Sequence, residues 1–220
     1  MFRNLYSLNV FKSRIEGLDN KKLTELAFGE AEDLEKRKDK TPAGYQYIDP
    51  DAPEVKQLRH TIKKDMDEHI DSRFTEGEIW SQVTRTGESI PIHSHRFKQD
   101  WDLLNVSWVY YPQIPEGENL GGKIVFQTQL GAHQTLSRDF DPEVGDFIIF
   151  PSWLPHFTTP NISPEARVSI SGNFYLNKDV YDEVVYDDRS GIKKLTGFYE
   201  SWPGTDPTTF HRMRVPDAGN

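Results

Sequence analysis

The sequence predicts a mainly β fold, a sandwich or barrel of short strands braced by N-terminal helices, and three observations carry that reading. From Ile79 onward, short runs rich in Val, Ile, Phe, Tyr and Trp are separated by Gly, Pro and Asp, the pattern of many short strands joined by turns. Ahead of them, two segments repeat apolar residues every three or four positions, the period of a helix with one buried face. The chain also carries 12% aromatic residues, including five Trp and thirteen Phe, enough bulk to fill a core.

The elements follow in order. Residues 1–14 alternate loosely through Phe2, Leu5, Leu8, Val10 and Phe11 and read as a starting strand. Asp19 offers an N-cap to a helix whose apolar positions are Leu23, Leu26, Ala27, Ala31 and Leu34, running to about Lys38. A Thr41-Pro42-Ala43-Gly44 break follows, and Asp51 precedes a second helix with Val55, Leu58, Ile62, Met66 and Ile70 along one stripe. Strands are expected at 80–83, 103–111, 123–127, 146–150 and 167–175, with loops at 112–122 and 139–145. After Asn177 the chain turns polar, with Asp182, Glu183, Asp187 and Asp188, then Trp202-Pro203-Gly204 and a basic close. The 220 residues suit a single domain: 1–78 as strand and helices bracing the barrel, 79–177 as its core, and 178–220 as an extension that could pack on the barrel or reach a second subunit in a homodimer.

Composition narrows the chemistry. A formal net charge of -9 opposes attraction to phosphate backbones or anionic lipid, so neither nucleic acid nor membrane is an expected partner. No cysteine is present, which removes disulfides, thiolate ligands and cysteine nucleophiles and leaves His and carboxylates as possible metal ligands. The first residues lack a signal-peptide core and no segment approaches the ~18 uninterrupted apolar residues of a span, so a cytoplasmic protein is expected.

Against that background, His93-Ser94-His95, His156 and Arg167 stand out. On a strand, residues at i and i+2 face one side, so His93 and His95 can aim at one point and His156 can close a metal site from another strand. The prolines of Pro151-Ser152-Trp153-Leu154-Pro155 restrict the backbone just ahead of His156. Alternation along 106–111 puts Ser107, Val109 and Tyr111 on one face, and Gly121-Gly122 makes a tight turn into the next strand. Arg167 and Ser169 share a face of the last strand, a guanidinium fork beside a hydroxyl that together suit a carboxylate. His60 and His69 read as solvated or capping residues, His133 and His211 as residues without direct function, and Trp101 and Trp153 as core or pocket wall.

Together these features resemble the Fe(II)/2-oxoglutarate-dependent dioxygenases, particularly the prolyl-hydroxylase-like branch. The resemblance runs over 87–176 and rests on the order His-x-His, a strand ending Tyr110-Tyr111, Gly121-Gly122 before a strand, Phe150-Pro151-Ser152 leading to His156, and Arg167-x-Ser169. It implies a double-stranded β-helix, or jelly roll, with helices outside. It implies metal ligation by His93, His95 and His156, and 2-oxoglutarate contacts from Arg167, Ser169 and Tyr111. The chemistry implied is hydroxylation of a substrate, a protein or peptide residue by analogy, using Fe(II), 2-oxoglutarate and oxygen, with no side chain needed as a nucleophile.

One position departs from the family pattern. Where those enzymes usually carry Asp or Glu, this chain has His95, which leaves the site one unit more positive. A three-histidine centre, a carboxylate supplied by Asp100 or Asp102, and a site without activity all follow from that residue. Two other classes stay open: a three-histidine cupin-like dioxygenase without 2-oxoglutarate, and a non-catalytic jelly-roll binding module.

Overall fold

In the computed structural model the described residues are 10–37, 46–70, 73–95, 105–131 and 134–176. Residues 1–9, the Thr41 to Gly44 break, Asp100, Trp101 and Asp102, His133 and the tail from 177 with its acidic run and His211 lie outside them.

The elements in order are β1 (Phe11–Arg14), α1 (Asn20–Arg37), β2 (Gln46–Tyr47), α2 (Pro53–His69), β3 (Phe74–Thr84), β4 (Val106–Gln113), β5 (Ile124–Gly131), β6 (Gln134–Phe140), β7 (Asp146–Pro151), β8 (His156–Thr158) and β9 (Arg167–Leu176). Helix α1 begins where the sequence places it, because the Asp19 carboxylate accepts the Lys22 backbone N–H at 3.0 Å. Helix α2 opens on Pro53, whose missing N–H costs nothing in a first turn that has no intrahelical partner to offer. Its stripe Val55, Leu58, Ile62 and Met66 is wholly buried, worth roughly 1.5–3 kcal/mol per large apolar side chain.

Two antiparallel sheets form the body, one of six strands in the order β1-β7-β4-β9-β3-β2 and one of three in the order β6-β5-β8. The central strands β7, β4 and β9 of the larger sheet are buried on both faces. Trp108, Tyr110, Phe147, Ile149, Ile170 and Phe174 pack outward among the apolar residues of α2, while Val109, Tyr111, Ile148 and Phe150 pack inward with Ile124 and Phe126 of the small sheet. Strand β7 is therefore buried at every position, which explains its unbroken apolar run. This is the expected double-stranded β-helix with helices outside.

The structure also departs from the sequence reading in places. Strand β3 starts at Phe74, earlier than expected, and carries a bulge between Glu76 and Ile79. Strands β2, β6 and β8 were not expected, and residues 139–140 belong to β6 rather than to a loop. Strand β6 is exposed along Gln134 to Asp139, so no apolar alternation marks it, and β8 has only three residues. Nor do His93 and His95 sit on a regular strand. His93 makes a single antiparallel bridge to His156, and Pro91, with no N–H to give, interrupts the ladder beside it.

Candidate metal centre

The three histidines converge by backbone construction. His93 and His156 exchange both backbone hydrogen bonds at 2.9 Å, while the His95 N–H donates to the Ser152 carbonyl at 2.8 Å. The segment before β4 is thus laced to the turn after β7, and one ring nitrogen from each of His93, His95 and His156 lies within 4.8 Å of the others. No carboxylate belongs to this group among the described residues.

Each imidazole is also held from behind. Nδ1 of His93 lies 2.9 Å from the Pro91 carbonyl, and Nδ1 of His156 lies 2.8 Å from the Leu154 carbonyl. A carbonyl can only accept, so both rings carry their proton on Nδ1 and turn the Nε2 lone pair the other way. His95 is held by side chains instead: Nδ1 lies 2.8 Å from Ser107 Oγ and 3.1 Å from Asn173 Oδ1. Its buried Nε2 has no partner among the described residues. Burial pushes the His95 imidazole down to about 4 and that of His156 to about 3, so both are neutral at physiological pH, the form that binds a metal.

A cavity of about 120 Å³ opens from these rings toward Arg167. Its walls include Trp80, Gln82 and Val109, with Tyr111, Phe150, Ser169 and Ser171 further along. Arg167 is only 2% exposed, and its Nε and Nη1 lack partners among the described residues. Burial lowers its pKa, yet a guanidinium stays charged, and no carboxylate there pairs with it. The contrast with Asp146 is direct: that carboxylate is equally buried and is answered by Lys12 at 2.7 Å and Arg14 at 3.0 Å. The Arg167 guanidinium carbon sits 4.9 Å from the centre of the Tyr111 ring. Burial pushes the Tyr111 hydroxyl up, offset in part by the Arg167 charge, and that hydroxyl has no well-aligned partner either. Of the six unpartnered buried side-chain atoms among the described residues, four belong to His95, Tyr111 and Arg167. Native interiors rarely leave such atoms unpaired, and their concentration around one cavity marks a place built for a polar, anionic guest beside a cation.

The sequence pointed to His93, His95, His156, Tyr111, Arg167 and Ser169, and all six line this cavity. Trp153 does not; it packs half-buried against the barrel interior. His60 and His69 lie on α2, away from the cavity lining. What sequence reading missed is the support. Asn173, Ser107 and Ser152 form a buried hydrogen-bonded group beneath His95, with Ser107 Oγ 2.8 Å from both of the others. Gly122, at φ +69°, leaves room for the arginine stem: a Cβ there would lie 2.8 Å from Arg167 Cδ. A signal for Asn173 existed, because Arg167, Ser169, Ser171 and Asn173 put four polar residues on one face of a buried strand.

The family described as "Putative 2OG-Fe(II) oxygenase" matches residues 78–173, the stretch that holds every residue of this cavity. Over that stretch the chain matches a family of 2OG-Fe(II) oxygenases. The description of that family names Fe(II) and 2-oxoglutarate. Solved structures share the fold. A prolyl-4-hydroxylase from Pseudomonas putida is 22% identical over 78% of this chain and 94% of its own, with a TM-score of 0.52. The viral collagen prolyl hydroxylase of Paramecium Bursaria Chlorella virus-1, solved with 2OG, is 14% identical over 76% and 96% of the two chains, with a TM-score of 0.52. HygX from Streptomyces hygroscopicus, solved with nickel and 2-oxoglutarate, is 11% identical over 76% and 83%, with a TM-score of 0.55. Comparison with curated proteins gives no match.

Proposed function

We propose that the protein is a 2OG-Fe(II) oxygenase that couples decarboxylation of 2-oxoglutarate to oxidation of a substrate, holds Fe(II) through Nε2 of His93, His95 and His156, and anchors the distal carboxylate of 2-oxoglutarate on Arg167 and Ser169 beside Tyr111. The observation that carries this is the buried guanidinium of Arg167, whose Nε and Nη1 lack partners among the described residues, in one cavity with three imidazoles, two of them with Nδ1 turned to a backbone carbonyl. A dicarboxylate supplies what both ends lack: a carboxylate for the arginine fork, and a second carboxylate with its adjacent carbonyl for the metal.

The donor set suits the cofactor. Imidazole binds iron well, and neutral rings release no charge to be compensated before the metal enters. Bound Fe(II) supplies oxygen activation and the oxidative breakdown of 2-oxoglutarate to succinate and carbon dioxide. The protein's own residues orient and exclude. Arg167 and Ser169 fix the co-substrate end to end, Tyr111 packs under the guanidinium, and Phe150 with Trp80 keeps the walls apolar so that water is scarce at the reacting end.

The arginine favours this reading over a cupin-like route, which leaves Arg167 and Ser169 with nothing to hold. For the substrate we propose hydroxylation of a protein or peptide residue, supported by the fold shared with two prolyl hydroxylases and by Trp80, Pro91 and Phe157 in the cavity lining, which suit an apolar side chain. The test is succinate release from the Fe(II)-loaded protein with and without 2-oxoglutarate, followed by a peptide turnover screen. Oxygen consumption that is indifferent to 2-oxoglutarate would refute the anchoring role of Arg167.

A further inference from the structure

His95 differs from the other two histidines in what holds it. A backbone carbonyl fixes the proton of His93 and His156, whereas His95 depends on the amide of Asn173, which presents either an acceptor or a donor according to which way it is turned.

The surroundings of that amide decide the matter. On its far side, Asn173 Nδ2 lies 3.5 Å from Glu78 Oε2 and 3.4 Å from the Tyr175 hydroxyl, and Tyr175 itself donates to the same Glu78 oxygen. A carboxylate accepts only, so the NH₂ group must face Glu78 and the Oδ1 must face His95. Ser107 Oγ then donates to Oδ1 at 2.8 Å, leaving its lone pairs to the imidazole. Every remaining choice is fixed: His95 carries its proton on Nδ1 and its lone pair on Nε2. Glu78 reaches this place by backbone construction. It sits in the β3 bulge between Glu76 and Ile79, and two glycines make room there. A Cβ on Gly77 would lie 2.3 Å from the Tyr175 ring, and one on Gly172 would lie 2.8 Å from the Glu78 carbonyl. Bulges commonly re-aim a side chain beside a site.

We propose that Glu78 is a positioning residue for the metal centre: acting through Asn173, it sets the tautomer of His95 and places one negative charge behind a ligand group that contains no carboxylate. The inference rests on His95 being a ligand, as proposed above. Three neutral imidazoles leave a divalent ion at +2 where two imidazoles and a carboxylate leave it at +1, and a carboxylate one residue behind the ring restores part of that difference.

The test uses the full chain. Co(II) and Mn(II) affinities are measured by titration, and the ¹⁵N spectrum of the histidine rings is recorded on metal-free protein. Glu78→Gln keeps the shape of this exposed side chain but can accept or donate, so the amide of Asn173 is freed to turn. Affinity is expected to fall about 10-fold, within the range typical of such outer partners, and His95 to leave the pure Nδ1–H form. In the double variant Asn173→Asp with Glu78→Gln, a carboxylate accepts the His95 proton directly, and both readouts are expected to return. A Glu78→Gln protein within about twofold of wild-type affinity and still in the Nδ1–H form overturns the proposal, because outer partners of a metal ligand ordinarily cost more than that. His95→Ala serves as the separate control. Unchanged metal affinity in that variant overturns the ligand reading and this inference with it, whereas loss there alongside an unaffected Glu78→Gln overturns the inference alone.

Discussion

Replacing Arg167 by methionine should move stability and co-substrate binding in opposite directions. Arg167 is 2% exposed, carries its charge over the Tyr111 ring, and leaves Nε and Nη1 without partners among the described residues. A buried charge without a counter-ion costs several kcal/mol, and substituting an apolar chain of similar volume for buried ionic groups commonly stabilises by about 1–4 kcal/mol. The protein free of 2-oxoglutarate should therefore unfold at a temperature higher by roughly 2–4 °C for each kcal/mol gained. Co-substrate binding should suffer the reverse. Removing one partner of a buried, hydrogen-bonded charge pair costs about 3–5 kcal/mol, which is a loss of roughly 10²- to 10³-fold or more in 2-oxoglutarate affinity. Calorimetric titration of 2-oxoglutarate into Mn(II)-loaded protein reads the second effect, and thermal unfolding without co-substrate reads the first. Metal affinity should stay at its wild-type value, since Arg167 touches none of the histidines. An arginine of purely structural role gives the opposite pattern. Destabilisation of the ligand-free protein with unchanged 2-oxoglutarate affinity would refute the reasoning, because it would mean that the guanidinium is already satisfied.

Other substitutions and conditions give equally direct outcomes. His156→Ala should abolish Mn(II) and Co(II) binding in titration, as the ring lies at the junction of the bridge to His93 and the cavity; retained affinity would remove it from the ligand set. His95→Asp should keep metal binding and iron-dependent succinate formation, and loss of both would show that the imidazole is not replaceable by a carboxylate at that place. Gly122→Ala should raise the KM for 2-oxoglutarate with little change in kcat, since a Cβ 2.8 Å from Arg167 Cδ forces the arginine stem aside while the left-handed backbone adds about 1 kcal/mol of strain. Stability of the metal-free protein should decline as the pH falls below about 6.5. Unfolded histidines take up protons there, whereas burial keeps His95 neutral down to about 4 and His156 down to about 3. The sign follows: the unfolded state binds more protons, so each group removes up to about 1.4 kcal/mol per pH unit between those limits. Chemical denaturation between pH 6.5 and 4.5 checks this, and His95→Asn with His156→Asn should flatten the profile.

How much of this was legible in the sequence depends on what kind of signal each feature leaves. Side chains that must enclose something leave local traces: the Val55, Leu58, Ile62 and Met66 stripe and the polar face Arg167, Ser169, Ser171 and Asn173 of β9 show the period of their element, and the doubly buried β7 shows an unbroken apolar run. Groups that converge from distant segments leave only their order, and that order sufficed for His93, His95, His156 and Arg167 because the paired histidines, the proline-flanked His156 and the Arg167-x-Ser169 face stand in sequence along the chain. Strand β6 left nothing, since a strand exposed along nearly its whole length has no reason to alternate. The bulge in β3 was equally silent. Its purpose is to bring Glu78 beneath Asn173, a contact across 95 residues that depends on two glycines giving way to a tyrosine ring and a carbonyl. Such a support has no local pattern. It is a consequence of packing, and it becomes visible only when the residue it serves is known. Glu78 and Asn173 meet because β3 and β9 are neighbours in the large sheet, so the pairing that builds the sheet also brings the support to the histidine.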